Sequence, residues 1–159
     1  MKHLIRTFAA LLCATAVSLV SAAPPYAPFV PKRPADDSLY QAFGAQPGLV
    51  KLADDFMQRL LADPRMKPFF VDVNQPEFKA KLVAQFCEVS GGPCRRDGPD
   101  MKKAHDGVDI TRANFNALVE VLQEAMDAQG VPFGVQNRLL SQLAPMHRDI
   151  INTPEADAR

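Results

Sequence analysis

Histidine, cysteine and methionine are the residues of this chain best equipped for chemistry, and their spacing limits what each can do. His105 follows Met101-Lys102-Lys103-Ala104 and precedes Asp106-Gly107, which places it in the last turn of a short helix that Gly107 can terminate. An imidazole there keeps one ring nitrogen free on a rigid edge, and porphyrin iron is commonly held by a single such ring. The same place also suits a protonated histidine without a task, since the helix dipole stabilises it. His147, in Met146-His147-Arg148-Asp149, sits among charges and reads as a surface residue rather than a second ligand. Cys87 and Cys94 flank Gly91-Gly92-Pro93, a break that can fold one thiol back on the other. A structural disulfide is the first reading and a pair of reduced thiols the other. Neither CxxCH nor CxxC occurs, and no His/Cys/Asp/Glu cluster has zinc spacing, so covalent c-type haem and thiolate metal sites are unsupported. No nucleophilic triad emerges.

These residues must be positioned by helices. From Gly48 to Asp63 apolar side chains fall at Leu49, Leu52, Ala53, Phe56, Met57, Leu60 and Leu61, the three-and-four spacing of one buried helical face, and Pro64 ends it. The run from Glu77 to Ser90 aligns Phe78, Leu82, Phe86 and Val89. Thr111 is the expected N-cap of a helix through Phe115, Leu118, Val119, Leu122 and Met126 that Gly130 closes. Pro132 opens a last helix running through Val135, Leu139, Leu140, Leu143 and Met146 to Ile150. A shorter helix begins near Leu39, with Ala35-Asp36-Asp37-Ser38 offering capping side chains. The segment from Gly92 to Lys102 reads as a loop with a short helix at its end. No run of period two is long enough for a strand, so the expected class is an all-α bundle of four main helices.

The ends read differently. Lys2 and Arg6 precede an apolar run from Phe8 to Val20, closed by Val20-Ser21-Ala22, the pattern of a secretory signal peptide cleaved after Ala22. The run is too short and too diluted by small residues for a membrane anchor, and Cys13 lies inside it rather than at the cleavage point, so lipidation is set aside. Five prolines between Ala23 and Pro34 make an extended tether over residues 23–37, and residues 153–159 form a polar, fraying tail. The globular domain is therefore expected at residues 38–152. Without its leader the chain keeps 137 residues, with 16 Lys and Arg against 18 Asp and Glu. Such a balance gives no field for nucleic acid or anionic lipid, and a monomer without a membrane span is expected.

Together the residues resemble the group 1 truncated haemoglobins, the two-over-two globins. The resemblance is carried in order by Ser38-Leu39-Tyr40 with Phe43-Gly44, Asp54-Asp55-Phe56, Leu60-Leu61-Ala62-Asp63-Pro64, Pro68-Phe69-Phe70, Gly91-Gly92-Pro93, Met101 to Gly107, Ile110-Thr111 with Phe115, Gly130-Val131-Pro132 and Leu143-Ala144-Pro145. It implies one non-covalent b-type haem per chain, His105 as the proximal iron ligand, and Phe70 against the haem face. Phe56, Met57, Phe78, Leu82 and Met101 complete the implied cofactor-binding set. The chain departs from the family at Gly44-Ala45, where a glycine pair is half present, and at Met57, where many members carry tyrosine. Tyr26 and Tyr40 are the only tyrosines and neither stands there.

Met57, Phe78 and Leu82 carry no N–H or O–H, so a polar iron-bound ligand finds no donor among them. Gln85, one turn beyond Leu82, supplies one only if its helix is rotated. The implied function is reversible binding of a diatomic gas (dioxygen, nitric oxide or carbon monoxide) at a His105-ligated iron in the periplasm or outside the cell, with weak hold on dioxygen and a reductase as partner. Two alternatives stand beside it. Met57 as sixth ligand would make a His/Met electron-transfer protein. A globin fold without haem would make a small binding module. Nitric oxide dioxygenase-like or peroxidase-like turnover is a side activity rather than the main one.

Overall fold

A computed structural model describes residues 27, 29 and 32–153 of the 159. The expected leader, Tyr26, much of the proline-rich segment and residues 154–159 lie outside the described residues. The described chain forms α1 (Ser38–Ala42), α2 (Ala45–Ala62), α3 (Lys67–Phe70), α4 (Gln75–Val89), α5 (Met101–Ala104), α6 (Arg112–Ala128), α7 (Phe133–Leu143), a 3-10 turn (Ala144–Met146) and α8 (His147–Ile150), with no strand among the described residues. Helix α2 packs on α4 and on α6, while α7 packs on α4 and α6, so α2 with α4 forms one layer and α6 with α7 the other. This is the two-over-two helical sandwich.

The order follows from the apolar stripes. On α2 the buried residues are Leu49, Leu52, Ala53, Phe56, Met57 and Leu60, one face of a helix of period 3.6. Each large apolar side chain taken fully out of water contributes about 1.5 to 3 kcal/mol, so this face alone holds α2 against its two neighbours. Helix α4 carries two stripes. Val83, Phe86, Cys87 and Ser90 are buried at a spacing of three and four, whereas Phe78, Leu82, Gln85 and Val89 share the next face round, half-buried at its first two positions and buried at its last two.

Helix starts and stops follow local chemistry. Thr111 caps α6 by accepting from the Asn114 amide, and the Asn114 side chain accepts in return from the Thr111 amide, a reciprocal capping box. Asn74 caps α4 the same way through the Glu77 amide. At α1 the expected capping side chains work differently. Asp37 stands at the N-cap without capping, and Asp36 instead accepts from the Ser38 hydroxyl and, at 3.0 Å, from the Ser38 amide, which together hold its carboxyl below the usual carboxylate range.

Three boundaries correct the sequence reading. Helices α2 and α4 begin at Ala45 and Gln75, earlier than Gly48 and Glu77, because polar first turns escape a hydrophobic pattern. The last helix is not continuous to Ile150. Pro145 has no amide to give, so the chain tightens into the 3-10 turn and restarts as α8. Helix α3 went unread in the sequence, since four residues show no period.

The α1–α2 corner is tight. Gly44 has φ +79° and Ala45 has φ +54°, so an alanine occupies left-handed backbone at a cost of about 1 to 2 kcal/mol. Gly48 lets the corner close, since a Cβ there would stand 1.7 Å from the Phe43 carbonyl oxygen. The segment expected as a tether is fastened at two points. The Phe29 amide donates to the Asp149 carboxylate at 3.0 Å, and the Arg33 guanidinium donates to the Gly92 carbonyl.

Candidate functional site

Helix α5 is a single turn. Asp100 caps it by accepting from the Lys103 amide at 2.8 Å, and His105 follows its last residue as the C-cap, one position later than expected from sequence. Gly107, at φ +75°, then reverses the chain, and the Val108 amide closes the turn on the His105 carbonyl at 3.2 Å. The half-buried His105 ring lies with Nδ1 at 2.7 Å from the Met101 carbonyl oxygen. A carbonyl only accepts, so Nδ1 carries the proton and the neutral ring keeps its lone pair on Nε2. That is the tautomer a metal-ligating imidazole needs, held by the second hydrogen bond such ligands usually make.

A separate half-buried apolar group stands on α3 and α4. Phe70, at the end of α3, meets Phe78 with ring centroids 5.2 Å apart and planes tilted by 55°, and Leu82 stands one turn beyond Phe78 on the same face of α4. Phe70, Phe78, Leu82, Met101 and His105 are all half-buried. These half-covered apolar side chains with one metal-competent nitrogen fit a flat, mostly apolar, metal-bearing group, and they would hold haem through His105 with Phe70, Phe78 and Leu82 as the apolar wall.

Two residues expected in the set lie deeper. Phe56 is 2 % exposed and belongs to the central core with Leu52 and Leu60 rather than to the half-buried group. Met57 is also 2 % exposed, closed off from solvent on α2. Gln85 is buried, with Nε2 only 3.8 Å from the Met146 sulfur and Oε1 without a hydrogen-bond partner. It points its donor at α8's neighbouring turn. His147 is exposed, donates through Nδ1 to the Ala144 carbonyl, and meets Phe115 edge-on at 6.3 Å between ring centres. Asn152 was not singled out in the sequence. Its Nδ2 donates to the His105 carbonyl at 2.9 Å and its Oδ1 accepts from the Ile110 amide at 2.8 Å.

Residues 38–152 match the family described as Bacterial-like globin. The chain belongs to the bacterial-like globin family. Among its relatives, the group 1 truncated hemoglobin GlbN of Mycolicibacterium paratuberculosis is 33% identical over 113 residues, 71% of this chain and 83% of the relative. The truncated hemoglobin of Tetrahymena pyriformis in its Fe(III) form superposes with a TM-score of 0.69 at 23% identity, covering 72% of this globin and 98% of that chain. The 2/2 hemoglobin of Synechococcus sp. PCC 7002, solved in the cyanomet state with covalently attached heme, gives a TM-score of 0.68 at 23% identity, over 72% and 98%. At that identity both likenesses speak for the fold. The family itself is a haem-binding one, and the globin segment accounts for nearly all of the described chain.

Cys87 and Cys94 come together as the sequence led one to expect, with Cα atoms 5.7 Å apart and sulfurs at 1.99 Å. Cys87 is wholly buried on α4, and Cys94 lies in the loop that leads to α5. The pair thus joins α4 to the loop that leads to α5 and His105. No described helix is long and apolar enough to cross a membrane.

Proposed function

We propose that this globin binds one b-type haem without a covalent bond and takes a diatomic gas reversibly at the iron face opposite His105. The observation that carries the proposal is the hydrogen bond from His105 Nδ1 to the Met101 carbonyl, which leaves Nε2 as the one nitrogen able to hold iron. Haem would supply the open metal position at which gas binds. The protein's part is to present the imidazole, cover the porphyrin with Phe70, Phe78 and Leu82, and leave the gas without a donated hydrogen bond. That absence favours nitric oxide and carbon monoxide over dioxygen, because bound dioxygen carries more negative charge and depends more on a donor. Relatives named group 1 truncated hemoglobin support the assignment to that group.

We further propose that the protein is exported, with cleavage after Ala22, and that Cys87 and Cys94 are a disulfide. An oxidising compartment is where such a bond forms and lasts. N-terminal sequencing of the protein recovered from its native cell, and a mass shift of the alkylated peptides on reduction, check the two parts.

The deciding experiment is the optical spectrum of the protein supplied with haem, oxidised, reduced and carbonylated. A five-coordinate, high-spin ferrous spectrum that converts on carbon monoxide is expected, and His105→Gly should lose it and regain it with added imidazole. A low-spin His/Met ferrous spectrum would move the function to electron transfer through Met57. Absence of any Soret band, with His105→Gly indistinguishable from the parent, would leave a haem-free binding module.

A further inference from the structure

Helix α5 cannot hold itself in place. It has four residues, none of them buried, and the turn that follows, from Asp106 to Asp109, is exposed. Its packing partner is α8, another single turn. Apolar burial therefore does little to fix the orientation of the His105 backbone, and hydrogen bonds must do it. They come from the end of the domain, 47 residues away. Asn152 uses both ends of one side-chain amide, giving Nδ2 to the His105 carbonyl at 2.9 Å and taking the Ile110 amide on Oδ1 at 2.8 Å. The backbone amides of Asn152 and Thr153 both donate to the Ile110 carbonyl at 3.1 Å. The two sides of the 105–110 turn are thus clasped by one residue, and α8 feeds that residue in.

We propose that Asn152 is a positioning residue for the proximal imidazole, setting how the His105 ring is presented to haem iron. The proposal rests on the reading of His105 as the iron ligand. The ring and the backbone of His105 are coupled, because its amide and its Nδ1 both donate to the same Met101 carbonyl, at 3.2 and 2.7 Å. A carbonyl of His105 released from Asn152 lets that short unit tilt, and the ring tilts with it.

The test uses the full haem-loaded chain and two variants, Asn152→Ala and Asn152→Asp. The aspartate keeps the acceptor for the Ile110 amide but removes the donor to the His105 carbonyl, so it separates the clasp's grip on the turn from its grip on the histidine. The readouts are the iron–histidine stretching band of the ferrous protein by resonance Raman, the rate of haem loss to an acceptor globin, and the melting temperature. Both variants should lower and broaden the iron–histidine band, and haem loss should quicken roughly fivefold, the factor expected for one ordinary hydrogen bond. If Asn152→Ala fails to fold, the Asn152→Asp band decides. An unmoved band in a wild-type protein that shows one, with only the melting temperature lowered, overturns the role of Asn152 and leaves His105 untouched. A wild-type protein whose ferrous haem is five-coordinate and high-spin yet shows no iron–histidine band overturns the ligand assignment itself, and Asn152's role with it.

Discussion

Replacing Leu82 with glutamine should slow dioxygen release by one to two orders of magnitude while leaving carbon monoxide nearly unaffected. Leu82 is the position to use because it is half-buried on the α4 face that begins with Phe78, whereas Met57 is only 2 % exposed. Glutamine is close to leucine in bulk and adds a terminal amide. Of the residues proposed to face the bound gas, Met57, Phe78 and Leu82 carry no donor, and the Gln85 amide is turned to the Met146 sulfur at 3.8 Å. One added hydrogen bond to a polarised ligand is worth about 1.5 to 3 kcal/mol, or roughly 10- to 150-fold in the release rate. Stopped-flow displacement of dioxygen by carbon monoxide measures that rate, and flash photolysis measures carbon monoxide rebinding. Gln85→Leu is the companion variant, expected to leave dioxygen release unchanged. The reasoning fails if the wild-type protein already releases dioxygen as slowly as Leu82→Gln, or if Gln85→Leu speeds release tenfold, which would make Gln85 the hidden donor.

Ala45→Gly should stabilise the fold by about 1 kcal/mol by relieving left-handed alanine, read from chemical denaturation. Gly48→Ala should cost about 2 kcal/mol or more, because the new methyl meets the Phe43 carbonyl and neither backbone can move freely. Cys94→Ser should lower the stability of the oxidised protein by about 2.5 kcal/mol, the closure entropy of so short a loop, and the same substitution should change nothing in a strong reductant. Asp63 is held below its ordinary value by hydrogen bonding to Arg65, so its contribution to folding is present above the unfolded-state value and fades as pH falls through the folded one. Melting temperatures taken downward from pH 5 should therefore fall less steeply below about pH 4 for Asp63→Asn than for the wild type, and added salt should shrink the difference because the pair is exposed.

Helix α2 was legible because its Leu49-to-Leu60 stripe is the face it buries, whereas on α6 the buried face runs through Ala117, Val121, Leu122, Ala125 and Met126 and only Leu122 and Met126 of the expected stripe lie on it, since small alanines carry little weight in a hydrophobic pattern. His105 was legible as a helix-end residue, and its neighbours Met101 and Gly107 framed it correctly, one position aside. What the sequence hid were contacts made across the chain. Nothing in Asn152 as a residue near a polar tail announces a bond to a carbonyl 47 positions earlier. Phe56 and Phe78 look alike in an apolar pattern, and only packing separates the one in the core from the one on the half-buried wall. The break at Pro145 was in plain view, yet the leucine spacing of α7 ran on past it, and missing donors outweigh periodicity in such places.

The bond from Phe29 to Asp149 brings the two extremities of the described chain to one pole of the molecule. A bulky label fixed at Phe29 or at Asn152 would therefore crowd the end of the domain that clasps the His105 carbonyl, and gas affinities measured on such labelled protein should differ from those of the unlabelled one. The α2–α3 corner, where Arg65 reaches Glu120 at 2.6 Å, is the place to attach a reporter. The meeting of Phe29 with Asp149 also makes the globin domain a candidate for circular permutation, with new ends cut where α2 gives way to α3.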